Sequence, residues 1–164
     1  MQFEIICSDI VSDGQLIYVP EDYSFDYNAE NRHGAEYTIQ LDTLQLAVDG
    51  DGRVLYPWGY CPLIRFAVTE HIPPSSRRGI LVVECADNFI PGISVGLHND
   101  AGWPVAINRQ EGWVCIGDPS VPELCEAVEF ANSAVAVLSE GKLVALLLRP
   151  YRLPQASSKP EISS

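Results

Sequence analysis

Arg32 is the single basic side chain among the first 52 residues, where eleven acids stand. Across residues 53–164 nine bases face eleven acids, so the first stretch holds −10 of the formal charge of −12 and the remainder only −2. Such a surface repels nucleic-acid phosphates and draws a cationic partner towards it. The plainer role of the same charge is to keep a small protein in solution.

Long apolar runs are missing too. None approaches the roughly 20 residues that span a bilayer as a helix, so no membrane segment is expected. The opening MQFEIICSDI carries an acid where a secretory leader carries positive charge, and it has no extended apolar centre. The Asn-x-Ser/Thr acceptor pattern does not occur. Five cysteines, an odd number without regular spacing, argue against a disulfide framework. The expected setting is a reducing one, the cytoplasm.

Motifs that carry chemistry are sparse. There is no P-loop for nucleotide phosphates, no Gly-x-Gly-x-x-Gly, no His-Glu-x-x-His and no Cys-x-x-Cys. A nucleophile elbow is not expected at GISVG (92–96). DGDGR (49–53) begins like a calcium loop, with Asp49 and Asp51 at the first and third ligand positions. Arg53 then falls where a fifth position needs an oxygen, so this is a turn. His33, His71 and His98 are far apart and lack ligand spacing, so neither a metal nor another cofactor is expected.

What is present is strand and turn. In TIQLDTLQLAVD, Leu44, Leu46 and Val48 alternate with polar or small residues, while Ile39 and Leu41 have the opposite parity. The slip at Asp42–Thr43 predicts a bulge or a junction of two strands. Asp49–Gly52 closes a hairpin onto VLYPWGY, in which Val54, Tyr56, Trp58 and Tyr60 share one parity and read as ring packing under a sheet. Pro57 cannot donate to a ladder, which predicts an edge or bulged strand. GILVVEC (79–85) reads as a strand buried on both sides, and ISVGL (93–97) as a short one. Hairpins follow at 105–117 and at 134–148. Ser120 and Glu123 have capping-box spacing with Pro122 inside the first turn, so a short helix is expected there, although AVEFA (127–131) reads equally as strand. The fold class is therefore mainly β, with one short helix: antiparallel sheets built from hairpins, as a sandwich or partly open barrel. One domain is expected over residues 1–153, with a mobile Pro/Ser-rich tail over 154–164.

Two functional readings follow. The segment PEDYSFDYNAENRHGAEY (20–37) interleaves acids with aromatic rings and has no aliphatic residue larger than alanine. Glu21, Asp22, Tyr23, Phe25, Asp26, Tyr27 and Tyr37 are the candidate binding residues, because rigid rings give contact area and the acids select a basic partner. The other reading of that segment is a long surface loop whose rings fold back on the sheet. As a non-catalytic protein the chain is of the immunity or inhibitor type, or regulatory, and a monomer or a dimer through an edge strand. The alternative is a small enzyme or ligand binder. Its aromatic pocket would lie among Trp58, Tyr60, Trp103 and Trp113, and His98 would deprotonate Cys115 with Asp100 or Asp118 orienting the imidazole. Cys61 and His71 form a second pair of this kind, and against both stands the usual burial of free cysteine.

Overall fold

The computed structural model describes residues 1–10, 12–29, 34–63, 66–70, 73–84, 86–118 and 125–153. In chain order the strands are β1 (Phe3–Cys7), β2 (Gln15–Val19), β3 (Ser24–Asn28), β4 (Ala35–Leu41), β5 (Leu44–Asp49), β6 (Val54–Tyr60) and β7 (Ala67–Val68). They continue with β8 (Arg77–Val83), β9 (Ser94–Gly96), β10 (Val105–Asn108), β11 (Trp113–Gly117), β12 (Glu126–Ala131), β13 (Ala134–Ser139) and β14 (Lys142–Leu148). Two sheets result, an eight-stranded one in the order β1-β8-β12-β13-β14-β11-β10-β7 and a six-stranded one in the order β2-β3-β6-β5-β4-β9. Most neighbours are antiparallel, and the exceptions are β8–β12, β7–β10 and β4–β9. Neither sheet closes on itself, so the architecture is sandwich-like. Among the described residues, helical backbone is confined to 3-10 turns at Pro20–Asp22 and Ala86–Asn88. The capping box at 120–123 and the tail from 154 lie outside the described residues, and Glu126–Ala131 is strand.

The local turn chemistry explains the hairpins. Asp49 Oδ1 accepts from the backbone N–H groups of Asp51 and Arg53, the Asx turn that DGDGR encodes, and thereby closes β5 onto β6. Glu140 and Gly141, at φ 50° and 76°, link β13 to β14 as a two-residue turn with both φ values positive. The parity slip at Asp42–Thr43 is a strand junction: Leu41 pairs Leu44 across a tight turn with Asp42 at φ 50°.

The main core lies between the sheets. Leu16, Phe25, Tyr27, Ile39, Leu44 and Leu46 of the smaller sheet meet Leu81, Val114, Val128, Phe130 and Leu146 of the larger one. Each such side chain contributes roughly 1.5–3 kcal/mol on burial. A second apolar cluster of Ala106, Cys115, Val135, Val137, Ala145 and Leu147 lies on the other face of the larger sheet. That sheet is thus buried on both sides at its centre, which is why β13 and β14 read as unbroken apolar runs.

Two expectations need correction. The segment 20–37, which also reads as a surface loop, contains strand β3 and the start of β4: β3 pairs β2 from Gln15↔Asn28 to Val19↔Ser24, through a turn with Tyr23 at φ 51°. In β6, the register with β5 passes from Ala47↔Tyr56 to Val48↔Val54, leaving Leu55 as an extra residue. This bulge inverts the parity from Pro57 to Cys61. Pro57 and Cys61 turn inward, and Trp58 and Tyr60 turn outward, 38% and 48% exposed. Pro57 is tolerated inside the sheet because β3 pairs β6 only at Gly59 and Tyr60, so the prolyl nitrogen lies beyond that ladder.

Candidate functional site

The outer face of the smaller sheet gathers most of the acidic and aromatic residues singled out above. Ser24 and Asp26 alternate with buried Phe25 and Tyr27 along β3, so they point outward. Ser24 pairs Tyr60 and Gln45 pairs Trp58, and directly opposed residues share a face. Tyr23, 48% exposed at the β2–β3 turn, meets Tyr60 edge-to-face with centroids 6.5 Å apart. The turn itself is fixed, because the Tyr23 carbonyl accepts from Cys61 N at 2.8 Å. Glu21 and Asp22 are exposed beside it, and Asp42 is exposed at the β4–β5 turn. The result is an aromatic triplet of Tyr23, Trp58 and Tyr60 with carboxylates around it.

Sequence reasoning placed Phe25 and Tyr27 on this surface, and the structure puts them beneath it. Phe25 packs edge-to-face on Tyr18 with centroids 5.0 Å apart. Tyr27 stacks on Tyr56 at 5.2 Å, donates its hydroxyl proton to the Ser12 carbonyl and accepts from Gly14 N at 2.8 Å. Burial pushes its hydroxyl pKa up, and the same is true of Tyr18. Tyr37 is half-buried against Phe89. Trp58 and Tyr60 are the surface rings that reading along the sequence assigned to the core. The β6 bulge turns them outward; Pro57 signals an edge or bulged strand in the sequence, but not which residue is extra.

The thiol centre does not assemble. Cys115 is in mid-strand among Ala106, Val135 and Leu147, and burial, reinforced by the Asp118 charge, pushes its thiol up to about 12. A thiol so placed is neither exposed nor ionised near neutrality. His98 Nε2 lies 3.0 Å from Asp100 Oδ1, yet both side chains stand in solvent. Cys61 is buried and its thiol is pushed up to about 11 by that burial, while His71 lies outside the described residues. GISVG does carry Gly-x-Ser-x-Gly spacing, so spacing alone does not exclude a nucleophile. Geometry does: Ser94 is on β9, an extended edge strand paired with β4, where a nucleophile elbow needs a sharp strand-to-helix turn. Among the described residues no hydrogen bond joins Ser94 to His98, and no cluster of three or more His, Cys, Asp or Glu side chains has metal-ligand geometry.

The three tryptophans serve three different places. Trp58 is on the outer face described above. Trp103 is buried, its indole N–H donating to the Leu97 carbonyl at 2.9 Å, and it lines an apolar cleft of about 420 Å3 with Leu41, Leu44, Cys61, Val105 and Ile116. Trp113 lines a separate polar groove. No described helix is long and apolar enough to cross a membrane. Neither the known protein families nor the curated proteins contain a match to this chain.

Proposed function

We propose that this chain is a non-catalytic acidic binding protein that recognises a basic protein partner, in the manner of an immunity protein, an inhibitor or a regulator, in the cytoplasm. The observation that carries this reading is the outer face of the smaller sheet. Tyr23, Trp58 and Tyr60 are exposed there together, with Glu21, Asp22, Asp26 and Asp42 around them. Exposed rings in a cluster are what a docking hot spot needs, and carboxylates around them steer a cationic partner and discourage other contacts. Arg53, at the turn between β5 and β6, is the one described base of the smaller sheet.

A second reading rests on the cleft beneath Trp103. Its lining is almost wholly apolar, and its titratable groups are Asp42 and the unionised Cys61, so it suits a small apolar ligand rather than a reaction.

The first reading is tested by capture on the immobilised chain from extract of the source cell, repeated with Asp22→Lys/Asp26→Lys and with Trp58→Ala. The expected result is a basic protein retained by the natural chain, slowed in association by the charge reversals and faster to dissociate from Trp58→Ala. Retention that is indifferent to all three changes would place the docking surface elsewhere and overturn the proposal.

A further inference from the structure

A groove of about 480 Å3 opens at the end of β2 opposite the acidic turn. There the starts of β2, β8 and β11 meet the β12–β13 turn and the end of β14, and Gln15, Arg78, Trp113, Glu129, Asn132 and Arg149 contribute to its walls. Two guanidinium groups line one concavity in a chain whose acids outnumber its Lys and Arg by 22 to 10. Both are held in place. Arg78 Nη2 donates to Asn132 Oδ1 at 3.2 Å and lies 3.7 Å from the Glu129 carboxylate. Asn132 is itself anchored, its Nδ2 donating to the Gly14 carbonyl at 3.3 Å and its backbone N to the Ser12 carbonyl at 3.0 Å. The Arg149 guanidinium lies over the Trp113 ring, 5.7 Å from its centroid, and its backbone N donates to the Ser133 carbonyl at 2.9 Å.

These contacts have a chemical consequence. A guanidinium seated over an indole is positioned by a contact that uses none of its N–H groups as donors to a carboxylate, and its N–H fork matches a carboxylate in a two-point contact. No carboxylate pairs with Arg149 among the described residues. Glu129 offsets one of the two positive charges, so the groove retains a charge of about +1. A singly charged planar acceptor suits that balance. A monoanion neutralises that charge, whereas a doubly charged phosphate leaves a net charge of about −1 in the groove, in the field of a −12 chain. The volume also falls within the usual range for small-molecule sites.

We infer that this groove is a binding site for a small monocarboxylate. The acid is held on the Arg149 edge with Arg78 beside it, and its apolar part lies along Trp113. The site is separate from the acidic face, so the two stand or fall independently. The test is titration of the 15N-labelled full chain with benzoate, and separately with inorganic phosphate, at constant ionic strength. Benzoate is expected to shift the Trp113 indole and Asn132 side-chain signals along one saturable curve, and to bind more tightly than phosphate. Arg149→Gln should weaken benzoate roughly tenfold. Arg149→Lys, which keeps the charge and loses the fork, should retain only part of the affinity. Arg109→Gln, which alters an arginine seated over Phe66 away from the groove, should change nothing. Non-saturating shifts, an unchanged affinity in folded Arg149→Gln, or phosphate as the tighter ligand would each overturn the assignment.

Discussion

At the scale of single residues, a buried polar atom tells more than an exposed one. Tyr27 belongs, by composition, to an acidic and aromatic surface, yet its ring is fully buried and its hydroxyl serves two backbone groups of the Ser12–Gly14 segment. Tyr27→Phe keeps the ring and orphans both partners, so it should cost about 1–3 kcal/mol in urea unfolding. An unchanged midpoint would return Tyr27 to the surface. Cys61 and Cys115 make the same point through their thiols, pushed up to about 11 and about 12 from an ordinary 9.0 by burial. The unfolded chain therefore loses these protons first as pH rises. Their contribution to stability is complete below pH 9 and fades as pH climbs from 9 towards 11–12. Melting temperature should fall across that interval, and less steeply in Cys61→Ala/Cys115→Ala. Within the folded chain, exposed Cys7 should alkylate well before either buried thiol. Fast labelling of Cys115 would revive the thiol-enzyme alternative.

At the scale of elements, the sequence is legible where a turn is encoded locally and opaque where pairing is remote. The hairpins β5–β6, β10–β11 and β13–β14 were readable from Asp-Gly, Glu-Gly and Glu-Gly-Lys turns between alternating or apolar runs. β2–β3 was not, because its turn of Pro20, Glu21, Asp22 and Tyr23 contains neither Gly nor Asn and two of its four residues are acids. The alternation of SFDYN was nonetheless a usable sign, with Phe25 and Tyr27 on one parity and Ser24, Asp26 and Asn28 on the other. Pro57 pointed to an edge or bulged strand, but the outward turn of Trp58 and Tyr60 depends on which residue is extra, Leu55, and that is seen only against β5. The parallel contacts β8–β12 and β4–β9 likewise join segments separated by about 50 residues, which no local pattern encodes. Turn chemistry also offers a gain. Glu140 sits at φ 50°, a conformation that Asn adopts more readily, so Glu140→Asn should stabilise by roughly 0.5–1 kcal/mol and raise the melting temperature. A lower melting temperature would show that the Glu140 side chain contributes more than its backbone strain costs.

At the scale of the whole molecule, charge and shape are partitioned. Seven of the eleven acids of the first 52 residues lie on the strands and turns of the smaller sheet, whose outer face also bears the exposed rings, while two arginines converge in a groove at the other end of β2. The larger sheet, apolar on both faces at its centre, is the rigid support for both. Net charge was fully legible in the sequence, as was the class of fold. Which acids stand beside which rings was not, because that depends on the β2–β3 pairing and the β6 bulge. The proposed function has the acidic, aromatic outer face steer and dock a basic protein. The most direct test is the association rate of the captured partner as a function of ionic strength, for the natural chain and for Asp22→Lys/Asp26→Lys. Steering predicts a rate that falls steeply with salt for the natural chain, and for the variant a lower rate at low salt with a flatter dependence. Equal rates and equal salt slopes for the two chains would contradict it.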